Sequence, residues 1–219
     1  MPEILSKYPT VTPMYEGQNR EAKKTTDSLN LVGPIILLLI YIVIAFTFRS
    51  YSQPVLLIVM IPFSMIGVIW GHYFHNFAIG ILSFLGIIAL IGIMVNDGLV
   101  LIGKFNNYLK EGMKFDDALV RAGQSRFRAI FLTSLTTVAG LAPLIFEKSR
   151  QAQFLIPMAI SIAYGIAIAT VLTLVMLPLL LSVSNTIKVG VKWLKTGNEI
   201  TKEEVERAII ESKFDEDEI

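Results

Sequence analysis

Long apolar runs separated by short polar segments dominate the chain. Five runs are each long enough to cross a membrane, at about residues 29–48, 54–75, 77–103, 129–147 and 154–184. A spanning helix needs about 20 mostly apolar residues. Because lipid offers no hydrogen bonds to a free backbone, runs of this kind fold as helices. The pattern predicts an all-α integral membrane protein, a bundle of five transmembrane helices within residues 29–187.

Composition supports this class and excludes several others. Hydrophobic residues make up 53% of the chain and charged residues 17%, well under the roughly 25% of soluble domains, and the mean hydropathy is +0.62. The absence of cysteine excludes disulfides and thiolate metal sites. No basic block indicates a nucleic-acid partner, so membrane lipid is the first predicted partner.

The distribution of Lys and Arg predicts the orientation. One set of polar segments carries Arg49, Lys104, Lys110, Lys114, Arg121, Arg126, Arg128, Lys188, Lys192 and Lys195. The opposite segments, "HYFHNFA" and "EKSRQAQ", carry far fewer. Cytoplasmic loops are enriched in these residues. We therefore expect a multi-pass protein with residues 1–28 outside and a cytoplasmic tail over residues 188–219.

Two polar segments carry helix signals of their own. Apolar positions at helical spacing follow Gly112, which predicts an amphipathic cytoplasmic helix at about residues 113–126 along the membrane surface. In the tail, Thr201 and Glu204 have the spacing of a capping box, which predicts a short soluble helix.

One carboxylate interrupts the third apolar run. Asp97 is the only acid there and has Asn96 beside it. A charged group near the membrane centre costs at least about 2.5–3.5 kcal/mol on insertion scales, so such residues usually mark ion or proton pathways. Asp97 is the candidate that takes up and releases a proton; the alternative is an acid that only packs the bundle.

The fourth run supplies polar groups that could join Asp97. Thr133 lies at a depth where its hydroxyl could meet the third helix, and Arg126 precedes the run. Hydroxyls in membrane helices usually bond their own backbone or a neighbouring helix, which is the competing interpretation of Thr133.

Other motifs indicate packing rather than chemistry. Gly67 and Gly71 form a GxxxG pattern, a common helix-packing signal. His72 and His75 have the spacing of a metal pair, but no acid or cysteine lies near them, so a wet pair at the membrane interface is favoured and no metal site is predicted. No phosphate-binding loop, HExxH motif or nucleophile elbow occurs, so no enzymatic activity is predicted.

Several segments together are similar to one transporter family. The segments "FRSYSQPVLLIVMIPFSMIGVIWGH", "GIIALIGIMVNDGLVLIGKFNNYLKEGM" and "DALVRAGQSRFRAIFLTSLTTVAGLAPLIFE" resemble the C-terminal membrane region of AcrB-like resistance-nodulation-division (RND) multidrug efflux permeases of the hydrophobe/amphiphile efflux family. The resemblance implies that the five runs are transmembrane helices eight to twelve, and that residues 1–28 end a periplasmic segment.

The resemblance implies a proton-driven exporter of hydrophobic or amphiphilic compounds in the bacterial inner membrane, with no cofactor besides the proton gradient. It places Asn96 and Asp97 at the tenth-helix relay positions, Thr133 at the eleventh-helix hydroxyl and Arg126 at the basic residue ahead of it. The best-known drug pumps have a lysine where this chain has Asn96, so the charge pairing here must differ.

Complete pumps of this family are homotrimers that work with a periplasmic adaptor and an outer-membrane channel. The relay's fourth-helix acidic pair and the drug-binding domains are absent from this chain, so we expect a fragment or partial subunit that needs the missing N-terminal part. Two alternatives remain: a non-transporting membrane scaffold that associates with a full-length pump, and a metal-ion or lipid exporter of the same superfamily.

Overall fold

The computed structural model describes residues 18–198 and 200–210. The chain divides into two compact units, Met1–Ile36 and Leu37–Ile219. Of the predicted outer segment, residues 1–28, only residues 18–28 are described. Residues 1–17 and the end of the tail, residues 211–219, lie outside the described residues.

The described residues are helical and contain no strand. The helices are α1 (Gln18–Phe48), α2 (Ser52–His75), α3 (Ile81–Lys110), α4 (Phe115–Ile145), α5 (Arg150–Val171) and α6 (Leu177–Thr196), with a π-helical segment at Leu172–Met176 and a 3₁₀ turn at Glu203–Val205. Five helical stretches among these residues are long and apolar enough to cross a membrane. The predicted all-α membrane fold is confirmed.

The polar segment before the fourth run is part of a spanning helix. Residues 113–126 were expected to form a separate surface helix, but α4 runs without interruption from Phe115 to Ile145. No glycine or proline breaks the pattern between Ser125 and Ile130, so the backbone hydrogen bonds continue across the boundary. The amphipathic turns therefore extend the fourth span beyond its apolar part.

The last span is also longer than its apolar run. Helix α5, the π segment and α6 form one stretch of 47 residues, Arg150–Thr196. At 1.5 Å per residue this is about 70 Å, more than twice the roughly 30 Å hydrocarbon core. The π turn lies just before Pro178. Proline lacks a donor and its ring clashes with the carbonyl four residues earlier, which a π turn accommodates.

Helix α5 is the centre of the bundle. Its buried positions are mostly small: Ala152, Ala159, Ser161, Ala163, Gly165, Ala169 and Thr170, together with Ile156, Ile160 and Ile166. Helices α2, α3 and α4 all pack against it. Small residues let helix backbones approach closely where lipid removes the hydrophobic drive between helices.

The GxxxG pair of α2 lies at one of these close contacts. A Cβ at Gly67 would overlap the carbonyl oxygen of Tyr164, and a Cβ at Gly71 would lie 2.6 Å from Tyr164 Cγ. On α3, a Cβ at Gly86 would lie 2.7 Å from the Met158 carbonyl oxygen. Glycine at these positions is therefore a condition of the observed spacing between α2, α3 and α5.

The segment after α6 folds back onto the bundle. We call residues 200–210 the C-terminal strap. Lys202 Nζ lies 2.7 Å from Asp116 Oδ2, and Glu203 Oε1 accepts a hydrogen bond of 2.8 Å from the backbone N–H of Phe115. The Glu203 carboxylate thus satisfies a free N–H group at the start of α4.

Glu206 holds the strap to α6. It is only 3% exposed. Its carboxylate accepts a hydrogen bond of 2.8 Å from Asn185 Nδ2 and lies 3.2 Å from Lys188 Nζ. The expected capping box of Thr201 and Glu204 does not form: the 3₁₀ turn begins after Lys202 without a side-chain cap, and the Glu204 side chain is exposed.

Replacing Gly67 with alanine is expected to destabilise the chain by about 1–3 kcal/mol, because the added methyl group overlaps the Tyr164 carbonyl and forces α2 away from α5. The matched control is Gly190→Ala in α6, where no atom of a neighbouring element among the described residues lies within 4 Å of the added Cβ; it should be neutral or stabilise by up to about 1 kcal/mol. The free energy of unfolding is measured by circular dichroism in mixed micelles. Equal effects at the two positions would contradict the close contact.

Replacing Glu206 with glutamine is expected to release the strap, because Lys188 loses its ion pair and a charged hydrogen bond is worth about 1.5–3 kcal/mol. Trypsin cleavage at Lys202 and Arg207 should then be about 10- to 100-fold faster, since proteolysis follows the open population. Glu204→Gln is the control: its side chain is exposed two residues away. If the cleavage rates of Glu206→Gln and Glu204→Gln both equal that of the unmodified chain, the strap is held by other contacts.

Candidate functional site

Asp97 lies near the middle of α3, at the edge of its buried face. The neighbouring Gly98 is buried, and a Cβ there would overlap a methyl group of Leu57 in α2. Asp97 itself is half-buried and Asn96 is exposed. Packing at Gly98 thus fixes α3 with Asp97 facing partly out of the described bundle.

The carboxylate of Asp97 has no partner among the described residues. Neither a hydrogen bond nor an ion pair to it occurs within residues 18–198 and 200–210. A charged carboxylate with no partner at this depth is unfavourable in free energy. Such a group in a spanning helix usually pairs with another polar group or faces a water-filled cavity. The arrangement leaves one side of Asp97 available to a group that lies outside these residues.

Thr133 lies on an exposed part of α4. Its hydroxyl donates to the Ala129 carbonyl at 3.0 Å, and Thr137 bonds the Thr133 carbonyl in the same manner at 2.8 Å. These are the backbone hydrogen bonds expected of a hydroxyl without another partner. The exposed side of α4 therefore presents hydroxyl groups rather than a continuous apolar surface.

Arg126 lies about two turns earlier on α4 and is half-buried. Its Nε is buried and has no hydrogen-bond partner among the described residues. A buried guanidinium N–H without a partner is unusual. No hydrogen bond or ion pair joins Arg126, Thr133, Asn96 and Asp97 within the described part of the chain, so the four predicted relay residues are not assembled into one network there.

The buried hydroxyl pair of this region was not singled out from the sequence. The Thr170 hydroxyl of α5 donates to Ser134 of α4, and Ser134 donates to the Ile130 carbonyl at 2.9 Å. Both side chains are buried. Four hydroxyl residues occur within residues 133–137, and only the tertiary packing distinguishes Ser134 from the others.

The two histidines near the C-terminal end of α2, His72 and His75, have different surroundings. His72 is 3% exposed, so the expectation of a wet interfacial pair is wrong for it. Its Nδ1 lies 3.1 Å from the Phe77 carbonyl oxygen and its Nε2 lies 2.9 Å from Ser161 Oγ. His75 Nε2 lies 3.0 Å from the Tyr164 hydroxyl. Both rings connect α2 to α5, and His75 remains partly exposed.

A further polar contact lies at the opposite end of α2. Gln53 Nε2 donates to Asn106 Oδ1 at 2.9 Å, and Asn106 Nδ2 donates to Gln53 Oε1 at 3.2 Å. Gln53 is at the start of α2 and Asn106 near the end of α3, and both are buried. The sequence carries no signal for this pair, because the two residues are far apart along the chain.

Comparison with known proteins identifies the fold and its family. The model of the AcrB/AcrD/AcrF family matches residues 3–184. The crystal structure of a heavy metal efflux pump superposes with a TM-score of 0.69 at 24% identity, covering 84% of this chain and 18% of that one. The match includes the helices that carry the predicted relay residues.

Curated relatives differ in the compounds named in their descriptions. A cobalt-zinc-cadmium resistance protein, CzcA, of Cupriavidus metallidurans is 29% identical over 164 residues, 75% of this chain and 15% of its own length. A multidrug resistance protein, MdtC, of Erwinia tasmaniensis is 26% identical over 156 residues, 71% of this chain and 15% of its own length. This chain thus spans a small part of the relatives it matches. The match over residues 3–184 shows that the chain belongs to the AcrB/AcrD/AcrF family of RND permeases.

Proposed function

We propose that this chain forms membrane helices of a proton-driven RND efflux transporter, and that Asp97 carries the proton. The observation that supports this most directly is the half-buried Asp97 carboxylate without a partner among the described residues. A group that alternates between a charged and a neutral form at membrane depth can exchange one partner for another as it gains or loses a proton. That exchange couples proton entry to helix movement.

The neighbouring side chains suit this role. Asn96 is exposed beside Asp97, and the hydroxyl of Thr133 is exposed on α4. Asn and Thr can donate or accept hydrogen bonds and so can stabilise either form of a carboxyl group. Arg126, with a buried Nε that lacks a partner among the described residues, is the cation we assign to the basic end of the relay.

The assembly that follows from the proposal is an inner-membrane transporter with the basic loops facing the cytoplasm. The group that pairs with Asp97 comes from membrane helices outside the described residues. In keeping with the resemblance to RND permeases, we propose a trimer that operates with a periplasmic adaptor and an outer-membrane channel.

Hydrophobic or amphiphilic compounds are the proposed cargo, in line with the relative named for multidrug resistance. Metal cations are the second candidate, because another relative is named for cobalt, zinc and cadmium resistance. Growth of cells that express the assembled transporter distinguishes them. Tolerance to dyes and bile salts supports the first cargo class, and tolerance to cobalt, zinc or cadmium salts supports the second.

Replacing Asp97 with asparagine in the assembled transporter is expected to abolish both export and proton movement, because the amide has nearly the shape of the acid but cannot take up a proton. Proton movement is measured in everted membrane vesicles with a pH-sensitive dye. Asp117→Asn is the matched control, since Asp117 is an exposed acid in the first turn of α4, and it should leave proton movement unchanged.

The scaffold alternative gives a different result. If Asp97 only packs the bundle, Asp97→Asn will alter the amount of assembled complex, measured by crosslinking, while each remaining complex still moves protons at the normal rate. That outcome would refute the relay role.

Replacing Thr133 with alanine is expected to slow proton movement, because the exposed hydroxyl is the group that would bond the relay. Thr133→Ser keeps the hydroxyl and should restore the rate. The control is Thr186→Ala in α6, whose hydroxyl likewise bonds its own helix, to Ser182, at 3.0 Å. A slow rate in Thr133→Ser, equal to that of Thr133→Ala, would assign the effect to packing of the methyl group and not to the hydroxyl.

A further inference from the structure

A polar cavity of about 370 Å³ lies where α1 ends and the C-terminal strap meets the bundle. Its lining residues are Thr47, Phe48, Arg49, Gly103, Asn106, Asn107, Lys110 and Ala208. It is distinct from the surroundings of Asp97, which lies more than one helical turn before Gly103, the first cavity residue of α3. Two cations, two amides and a hydroxyl group therefore meet in one recess. We call this end of the bundle, where α1 and α3 terminate, the basic end of the bundle.

The two cations are not neutralised within the chain's described part. Neither Arg49 nor Lys110 makes an ion pair or a side-chain hydrogen bond among residues 18–198 and 200–210. Cationic side chains that converge without a carboxylate form a binding surface for an anion. Arg49 also supplies donors in a fixed planar arrangement that matches phosphate oxygens.

Asn106 gives the recess a buried hydrogen-bond donor in a fixed position, which a patch of surface charge would lack. Its side chain is 9% exposed, and one of its two amide N–H groups is used by Gln53. The second N–H has no partner among the described residues. Since the reciprocal bonds to Gln53 fix the amide plane, this spare donor is held in place at the cavity wall.

Arg49 is held in an unusual backbone conformation. Its φ is +46°, in the left-handed region that residues other than glycine, asparagine and aspartate rarely adopt. Its N–H donates to the Phe46 carbonyl at 3.4 Å in the turn between α1 and α2. A residue kept in a costly conformation at a turn where asparagine or glycine would fit better suggests that the side chain is needed there.

A second cavity adjoins the first through Arg49. It is about 280 Å³ in volume and is lined by Ala45, Phe46, Arg49, Tyr51 and Arg207. Phe46 and Tyr51 are both 81% exposed, which is the setting of aromatic residues at a membrane surface. Arg49 thus separates a polar recess from one whose walls combine the aromatic side chains of Phe46 and Tyr51 with a second arginine, Arg207. Such an arrangement fits a molecule with an anionic head and an apolar body.

We propose that these two cavities bind one anionic phospholipid, with its phosphate between Arg49 and Lys110 and its glycerol and first acyl carbons along Phe46 and Tyr51. Basic recesses between membrane helices on the cytoplasmic side are suited to anionic head groups. Ala208 of the C-terminal strap forms one wall, so the lipid contacts the end of α1, the end of α3 and the strap at once.

The test uses the full chain purified in detergent, with dioleoyl phosphatidylglycerol and dioleoyl phosphatidylcholine as probes and native mass spectrometry as the readout. The wild-type chain should retain phosphatidylglycerol in preference to phosphatidylcholine. The variants are Arg49→Asn and Lys110→Gln, separately and together. Asparagine suits the backbone of residue 49, so the chain should remain folded, as circular dichroism will verify.

At about 1 kcal/mol for each cation near an anionic lipid, each single variant should weaken phosphatidylglycerol binding about fivefold and the double variant about 30-fold. Lys114→Gln is the matched control, because Lys114 is an exposed cation in the loop after α3 and does not line either cavity. Binding by the double variant within twofold of wild type, or an equal loss in Lys114→Gln, would overturn the proposal.

Two further probes decide what occupies the cavity. Glycerophosphoglycerol and inorganic phosphate carry the anion without acyl chains and should bind far more weakly than the lipid; equal affinity would make this a site for soluble phosphate. Deletion of residues 211–219, which contain acidic side chains, should leave lipid affinity unchanged. A tenfold gain on deletion would assign the cavity to the chain's own acidic tail.

Discussion

Close backbone contact around α5 is the constraint on which the rest of the bundle depends. When two apolar helices associate in a membrane, they exchange contacts with lipid for contacts with each other, so the hydrophobic effect contributes little. Association relies instead on packing and hydrogen bonds. Helix α5 presents Ala, Gly and Ser at its buried positions, and Gly67, Gly71 and Gly86 meet it from two neighbouring helices. Ser161 and Tyr164 add hydrogen bonds to His72 and His75 from the same side.

The tight contacts also determine which side chains remain available. Because α3 packs through Gly86, Leu90 and Gly98, Asn96 must face outward and Asp97 lies at the boundary. Likewise, Ser134 turns inward to Thr170 and so leaves Thr133 exposed. The polar groups that relay protons in our proposal are thus presented by the same packing that holds the helices together.

At the basic end of the bundle, polar contacts replace apolar packing. The Gln53–Asn106 pair joins α2 to α3, and the C-terminal strap joins α4 to α6 through Glu203 and Glu206. Charged contacts of this kind are stronger where water is partly excluded, as at Glu206. This end of the bundle therefore carries both polar contacts between its elements and two cations, Arg49 and Lys110, that make no ion pair among the described residues.

The sequence by itself predicted five spanning helices, because apolar length is a local property: each predicted run overlaps a helical stretch, although residues 77–80 and 146–147 fall outside α3 and α4. The sequence also singled out Asp97 as a candidate proton-binding residue, because a lone acid in an apolar run can be recognised without a structure. The helix ends were harder to predict, as in α4, because nothing along the chain shows where a helix leaves the bilayer. Tertiary structure alone decided that Glu206 is buried, that His72 bonds Ser161 and that Gln53 meets Asn106. Each of these depends on which helices are neighbours, and that is settled by the fit of side chains from distant parts of the chain.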